Sequence, residues 1–197
     1  MPGEVGKVDH TTRLAALDPR LGRFMAWAEV FYQSGLFPNV ESLSKAAVKI
    51  AAGEEMGIGS YAAMNSIHII KGKLFVGFDI MAAKIKSSPK YDYSVAKLED
   101  TECVLECYEK LPARKLLGVV RNRIAHAKRA GIYSPGSGWD KNPKNMLFAR
   151  CISNAQAWYF PDIFGARVYD HGDMPELTAQ VISARDATEG ATGSPPS

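Results

Sequence analysis

The run from Gly131 to Gly165, GIYSPGSGWDKNPKNMLFARCISNAQAWYFPDIFG, constrains the fold of this chain more than any other segment. The proline and two glycines of SPGSG exclude regular structure, so a mobile loop is expected there. Asn142-Pro143 then begins a long helix, because proline is favoured at the first helical position. The apolar residues of this helix recur at helical spacing and should face the core. They are Leu147, Phe148, Cys151, Ile152, Ala155, Trp158 and Tyr159.

The opposite face of the same helix carries small or hydrogen-bonding side chains. They are Ala149, Arg150, Ser153, Asn154, Gln156 and Ala157. Side chains of this kind let a partner backbone approach closely, so either DNA or a neighbouring subunit could use this face.

The rest of the chain predicts an α+β fold, with an antiparallel β meander and a hairpin packed on helices. Asp18-Pro19 begins a helix that Gly35 ends, and Lys71-Gly72-Lys73 forms the tight turn of the hairpin. Asp79 is predicted to cap a short helix that runs through Lys86. The other predicted elements are a helix from Glu41 to Met56, hairpin strands at Ser66 to Ile70 and Leu74 to Phe78, three strands at Tyr91 to Leu98, Glu102 to Tyr108 and Arg114 to Arg121, and helical turns at Ile124 to Ala130.

Size and composition favour one main domain in a reducing compartment. The chain has 197 residues, 46% of them hydrophobic, and no apolar run approaches the roughly 20 residues that cross a bilayer. The amino terminus lacks the apolar centre of a secretory signal, which predicts a cytoplasmic protein. Cys103, Cys107 and Cys151 lack the spacing of common zinc sites, so buried, unreactive thiols are expected and no metal site is predicted.

Positive charge is concentrated in one window of the chain. From Lys110 to Arg150 there are ten Lys or Arg residues against one acid, Asp140, which gives a net charge of +9, although the whole chain carries only +3. A basic stretch interleaved with aromatic residues, Gly and Asn is typical of a surface that binds a polyanion such as nucleic acid. The alternative is a charged face that is merely solvated.

Motifs for catalysis are weak, so the chain is not predicted to be an enzyme and no cofactor is expected. The segment GEEMGIGS, from Gly53 to Ser60, lacks the lysine of a phosphate-binding loop and ends a helix instead of beginning one. The four histidines lie in unrelated contexts, and no hydrolase motif is present. A nuclease that binds magnesium through scattered Asp and Glu residues stays open as an alternative.

Four blocks of the sequence, in this order, resemble the RecT-type single-strand annealing proteins of bacteriophages and prophages. The blocks are KAAVKIAAGEEMGI with AAMNSIHIIKGKLFVGFDIMAAKIKSS (Lys45 to Ser88), HAKRAGI (His126 to Ile132), WDKNPKNMLFAR (Trp139 to Arg150) and FPDIFGARVY (Phe160 to Tyr169). Together they extend from about Lys45 to Tyr169, and their specificity lies in their order and spacing.

The resemblance implies a divergent relative of the Rad52-type annealing fold that assembles into rings or helical filaments, with DNA in a basic groove. It implies ATP-independent annealing of single-stranded DNA in homologous recombination and repair, with single strands, the annealed duplex and other copies of the chain as partners. Family members commonly carry a C-terminal region for an exonuclease or a host single-strand-binding protein. This chain departs from that pattern, because almost no folded region is predicted after Tyr169.

These interpretations divide the chain into three parts. Residues 1–40 are predicted to form a segment with one helix that contacts another subunit, residues 41–169 to form the annealing core, and residues 170–197 to form an acidic, largely disordered tail. A passive protein that coats single-stranded DNA is the main alternative function for such a chain.

The predicted DNA contacts are the cations of the core. The phosphate contacts are Arg121, Arg123, Lys128, Arg129, Lys141, Lys144 and Arg150, with Lys71 and Lys73 at the hairpin turn as further candidates. Trp139 either stacks on a base or plugs the junction between the loop and the last helix.

Overall fold

The computed structural model describes residue 16, residues 18–38 and residues 40–164 of the chain. The chain forms two compact units, Met1–Ile69 (unit 1) and Ile70–Ser197 (unit 2). This division differs from the predicted boundary between residues 40 and 41, and the predicted tail, residues 170–197, lies outside the described residues. The elements in chain order are α1 (Pro19–Gln33), α2 (Leu43–Glu55), α3 (Ser60–Ser66), β1 (Ile67–Ile70), β2 (Lys73–Val76), α4 (Phe78–Ser87), β3 (Tyr91–Leu98), β4 (Glu102–Glu109), β5 (Lys115–Arg123), α5 (Ile124–Arg129), α6 (Gly138–Lys141) and α7 (Pro143–Tyr159).

The helices of unit 1 begin at side chains that cap their first turns. The Asp18 carboxylate accepts a hydrogen bond from the Arg20 backbone N–H at 2.8 Å, and Pro19 follows as the first residue of α1. Ser42 caps α2 in the same way, because its hydroxyl accepts from the Lys45 backbone N–H at 3.2 Å. Helix α3 was not predicted; it begins at Gly59 without a side-chain cap and has seven residues, too few to give a clear apolar period.

The core of unit 1 is formed where small residues let its helices pack closely. Its buried members are Ala28, Val40, Ala46, Ile50 and Met64, with Phe24, Phe31, Phe37 and Ala47 packed against them. A Cβ atom at Gly53 of α2 would lie 2.4 Å from the Cβ of Ala63 in α3, so only glycine allows this approach. Larger side chains at residue 53 would push α2 and α3 apart.

Among the described residues of unit 1, one cation is buried. Lys49 of α2 is 6% exposed, and its ammonium group donates a hydrogen bond to the backbone carbonyl of Met64 near the C-terminal end of α3. Carbonyls in the last turn of a helix lack partners within that helix and carry partial negative charge, so the ammonium group caps α3. Burial lowers the pKa of Lys49 to about 8.

The predicted hairpin is confirmed, and the helix after it begins slightly earlier than predicted. Strands β1 and β2 pair in a two-stranded sheet whose turn contains Lys71 at φ 49° and Gly72 at φ 75°. Positive φ at both central residues is typical of the tightest hairpin turns. Gly77, and not the predicted Asp79, is the N-cap of α4, and Asp79 lies in the first turn.

The predicted meander is also confirmed, since β3, β4 and β5 pair antiparallel in that order. Along β4, Cys103, Leu105 and Cys107 are fully buried and alternate with Glu102 and Glu106. Because neighbouring side chains of a strand point to opposite faces, one face of the sheet is apolar and the other is charged.

Two helices cover the apolar face of this sheet. Helix α7 packs on β4 and β5, and α4 packs on β3 and on α7. The ring of Tyr159 lies so close to Gly118 of β5 that a Cβ atom there would meet the ring at 2.3 to 2.5 Å. This contact fixes the last turn of α7 against the strand.

The prediction for α7 is wrong in detail on both faces. Trp158, predicted to be core, is 61% exposed, whereas Ser153 and Gln156, predicted to lie on the open face, are buried. Helix α4 packs against α7, and the Ser153 hydroxyl lies 3.9 Å from the sulfur of Met81 in α4. A second helix therefore covers a flank that the sequence pattern predicted to be open.

The architecture confirms the α+β class. No helix in the described residues is both long and apolar enough to cross a bilayer.

Candidate nucleic-acid interface

Strand β5 places two of the predicted phosphate contacts on the charged face of the sheet. Val120 and Asn122 are buried, and the Asn122 amide donates to the sulfur of Cys151 in α7 at 3.3 Å. Arg121 and Arg123 alternate with them and are exposed. The two arginines therefore lie on the face opposite α7, separated by one residue along the strand.

A single carboxylate connects these arginines. Glu102 of β4 pairs directly with Arg123 in the sheet register, and its Oε1 atom lies 2.6 Å from Nε of Arg123 and 3.6 Å from Nε of Arg121. Its other oxygen, Oε2, lies 3.2 Å from the ammonium nitrogen of Lys97 on β3. Three cations from the two edge strands thus surround one acid on the central strand.

The ionisation of this group follows from those contacts. Hydrogen bonds from Arg123 and then Lys97 lower the pKa of Glu102, so the carboxylate stays charged. Hydrogen bonds to Glu99 and Glu102 raise the pKa of Lys97. At neutral pH the cluster formed by Lys97, Glu102, Arg121 and Arg123, which we call the Glu102 cluster, carries a net charge of +2. Glu99 is a second acid beside this cluster, since its carboxylate lies 3.1 Å from the ammonium nitrogen of Lys97.

The turn between β3 and β4 brings a further predicted contact to the same end of the sheet. Asp100 in this turn lies 4.0 Å from the ammonium nitrogen of Lys144, in the first turn of α7. The carbonyl of Thr101 accepts a hydrogen bond from the backbone N–H of Ile124 at 2.9 Å, which places the start of α5 beside the turn. Arg121, Arg123 and Lys144 therefore gather around one acidic turn.

The cations of α5 lie beside the loop that follows this helix. Lys128 and Arg129 are exposed in its last turn, and Gly131 ends it with a φ of 71°. The ammonium nitrogen of Lys128 lies 4.8 Å from the centre of the Tyr133 ring, within the range of a cation–π contact. Lys128 is therefore held against the loop.

Asp140 anchors that loop. Its carboxylate accepts hydrogen bonds from the Tyr133 hydroxyl at 2.6 Å and from the Gly136 backbone N–H at 2.9 Å. Both hydrogen bonds lower the pKa of Asp140, and the bond from the Gly136 backbone has the larger effect. The segment is irregular, as predicted, but contacts with α6 hold it at two points.

Trp139 is not a surface residue. It is 5% exposed and lies in α6, so its burial agrees with the plug interpretation and not with base stacking. The neighbouring Lys141 is exposed, whereas Arg150 in the middle of α7 is half-buried. Lys71 and Lys73 are exposed at the β1–β2 turn.

Part of the basic window is used by the fold itself. The ammonium group of Lys110 donates to the backbone carbonyls of Ser88 at 2.7 Å and Lys86 at 3.2 Å, which caps the C-terminal end of α4. The guanidinium carbon of Arg114 lies 3.8 Å from the centre of the Tyr108 ring. A ligand could therefore contact fewer cations than the net charge of +9 in this window suggests.

Sequence reasoning missed Lys97 and Glu102. Both residues precede the basic window from Lys110 to Arg150, so a charge count over that window does not reveal them. The register between adjacent strands brings them to Arg121 and Arg123. Pairing the predicted strands residue by residue from the short β3–β4 turn could have identified them.

The described residues contain no group of three or more His, Cys, Asp or Glu side chains that could hold a metal ion. The three cysteines are buried, as predicted, and burial raises the pKa of Cys107 to about 12. Cys151 donates a hydrogen bond to the carbonyl of Cys103 at 3.4 Å, which joins α7 to β4.

Comparisons of the chain with known protein families, with curated proteins and with solved structures find no match.

Proposed function

We propose that this chain binds single-stranded DNA through the cations of β5, α5, α6 and the start of α7, and promotes the pairing of complementary strands without ATP. The observation that carries this proposal is the gathering of Arg121, Arg123 and Lys144 around the β3–β4 turn. Side chains that are far apart in sequence lie near one end of the sheet there, and we infer that together they contact a run of phosphates.

The mechanism follows from the chemistry of the two strands. Complementary strands repel each other through their phosphates, and a protein that neutralises one backbone lowers this barrier to pairing. Base stacking contributes about 1.4 kcal/mol per step, so pairing needs no fuel once the strands are aligned. The burial of Trp139 fits this scheme, because a base that is not held by stacking on that ring moves more readily to a second strand.

The arrangement of β3, β4, β5 and α7 supports the finer interpretation of the fold. A three-stranded antiparallel meander followed by a long helix on one face is the kind of core that the resemblance to RecT-type proteins implies. We propose on that basis a divergent Rad52-like annealing fold that works as a ring or helical filament. One subunit covers only a few nucleotides, so several subunits must act side by side.

The test is the rate of pairing between two complementary fluorescent oligonucleotides at low ionic strength without ATP. The proposal predicts that the purified chain accelerates pairing and that a large excess of noncomplementary DNA competes for it. Slower pairing with tight binding would show passive coating instead. Absence of any binding to single-stranded DNA at low salt would refute both functions.

A further inference from the structure

Glu102 is the least exposed member of the Glu102 cluster. Its side chain is 14% exposed, whereas those of Arg121 and Arg123 are 54% and 52% exposed. An acid in the middle of a proposed DNA surface reduces its positive charge, so its presence needs a physical explanation. We propose that Glu102 is a positioning residue that holds Lys97, Arg121 and Arg123 as one phosphate-binding site.

The contacts with the arginines carry this inference. Glu102 is hydrogen-bonded to Nε of Arg123 and also lies near Nε of Arg121. A guanidinium group has five N–H donors on a rigid plane, and four of them belong to the two terminal nitrogens. The carboxylate therefore holds the Nε edge of Arg123 by a hydrogen bond and attracts that of Arg121 as an ion pair, which leaves the terminal nitrogens to bind a phosphate in bidentate geometry.

The spacing of the cations suits a polynucleotide backbone. Arg121 and Arg123 are two residues apart on one strand, which separates their Cα atoms by about 6.6 Å. Lys97 extends the site across β4, because Lys97 and Arg121 both pair with Val104 from opposite sides. The site is thus built from all three strands, and Lys97 is a contact that the basic window does not contain.

The same carboxylate moderates the strength of binding. With Glu102 ionised, the cluster has a net charge of +2 instead of +3, so each phosphate is held less tightly and exchanges more readily. Exchange is useful in annealing, because strands must shift along the protein until their sequences match. This inference rests on the proposed function and adds to it the residue that sets both the geometry and the affinity.

Two substitutions of Glu102 separate the effect of its side-chain length from the effect of its charge. Glu102→Gln removes the charge but retains an oxygen that can accept from Arg123, so single-stranded oligonucleotide should bind roughly threefold to tenfold tighter, with a salt slope steeper by about 0.7. Glu102→Asp keeps the charge but shortens the side chain by one methylene, so it cannot hold both arginines. Binding should weaken by about threefold or more at the same ionic strength.

Matched controls are Glu55→Gln and Glu55→Asp at the end of α2, which make the same changes in unit 1. They should leave affinity and salt slope close to the wild-type values. Glu102→Asp binding like wild type would refute the positioning role, and Glu102→Gln behaving like Glu55→Gln would refute the moderating role. If one Glu102 variant does not fold, the other variant still tests the role of Glu102 that is assigned to it. A wild-type chain that binds no oligonucleotide would instead refute the proposed function.

Discussion

Lys49 in unit 1 and the cations around the β3–β4 turn in unit 2 carry the same charge but are used in opposite ways. Lys49 is buried and caps α3, and its pKa is lowered because water is excluded from the ammonium group. Arg121, Arg123 and Lys144 are exposed and are in contact with acids at the surface. The first kind of cation serves the fold, and the second is exposed, as the proposed contact with DNA requires.

Lys110 shows that the same division exists within unit 2. It belongs to the basic window by sequence, yet it holds the last carbonyls of α4. The number of cations in a sequence window is therefore an upper limit on the number that a ligand can contact. The packing of the chain determines how many of them stay exposed. We therefore expect substitutions of cations that serve the fold to change stability, and substitutions of exposed cations to change binding.

The largest expected effect is on stability, at Lys49. Between about pH 8 and the ordinary lysine pKa of 10.5, the unfolded chain binds a proton that the folded chain has lost, so stability rises with pH. Each pH unit contributes about 1.4 kcal/mol, which gives a rise of at most about 3 kcal/mol. Chemical denaturation at several pH values should show this rise for the wild type relative to Lys49→Met. Parallel curves for the two proteins would show that Lys49 is not desolvated.

An intermediate effect is expected at Lys110. Lys110→Met retains most of the aliphatic stem but removes both hydrogen bonds to the end of α4, so the free energy of unfolding should fall by about 1 to 2 kcal/mol. Urea denaturation measures this loss. Affinity for single-stranded oligonucleotide should stay within about twofold of the wild type, since Lys110 serves the fold. A large loss of affinity in the folded variant would contradict the comparison.

The smallest effect on stability, with a clear effect on binding, is expected for Lys141→Ala combined with Lys144→Ala. The logarithm of the binding constant should depend less steeply on the logarithm of salt concentration, by up to about 1.4 for single strands if both ammonium groups contact phosphates. The free energy of unfolding should change by less than about 1 kcal/mol, because exposed ion pairs contribute little.

A matched control for this pair is Arg20→Ala with Lys45→Ala, which removes the same charge from exposed ion pairs of unit 1. Its salt slope should stay at the wild-type value. Equal slopes for the two double variants would mean that total charge, and not the surface around the β3–β4 turn, governs binding.

The sequence predicted most of the fold because its strongest patterns are local. The Asp18 cap, the Lys71-Gly72 turn and the strands of the meander depend on neighbouring residues. The N-cap of α4 is an exception, since it is Gly77 and not the predicted Asp79. The burial of Ser153 and Gln156 and the exposure of Trp158 were predicted wrongly, because the period of one helix does not show which of its flanks other elements cover.

The candidate site was predictable only in part. The basic residues of β5 and α7 are visible in a charge count, and the structure brings Arg121, Arg123 and Lys144 to one turn. The pairing of Glu102 with the arginines depends on the register of β4 and β5, which includes a bulge between Cys107 and Tyr108 that no local pattern specifies. The burial of Trp139 depends on tertiary packing, which the local sequence pattern does not specify.

The burial of all three cysteines makes the chain suitable for site-specific labelling. Cys103, Cys107 and Cys151 have no exposed surface, so maleimide reagents do not reach them in the folded chain, and burial also raises the pKa of Cys107. A maleimide fluorophore would therefore label a cysteine introduced at an exposed position almost exclusively. Energy transfer from that dye to a labelled oligonucleotide could then follow the movement of a strand across the protein without removing any native residue from the core.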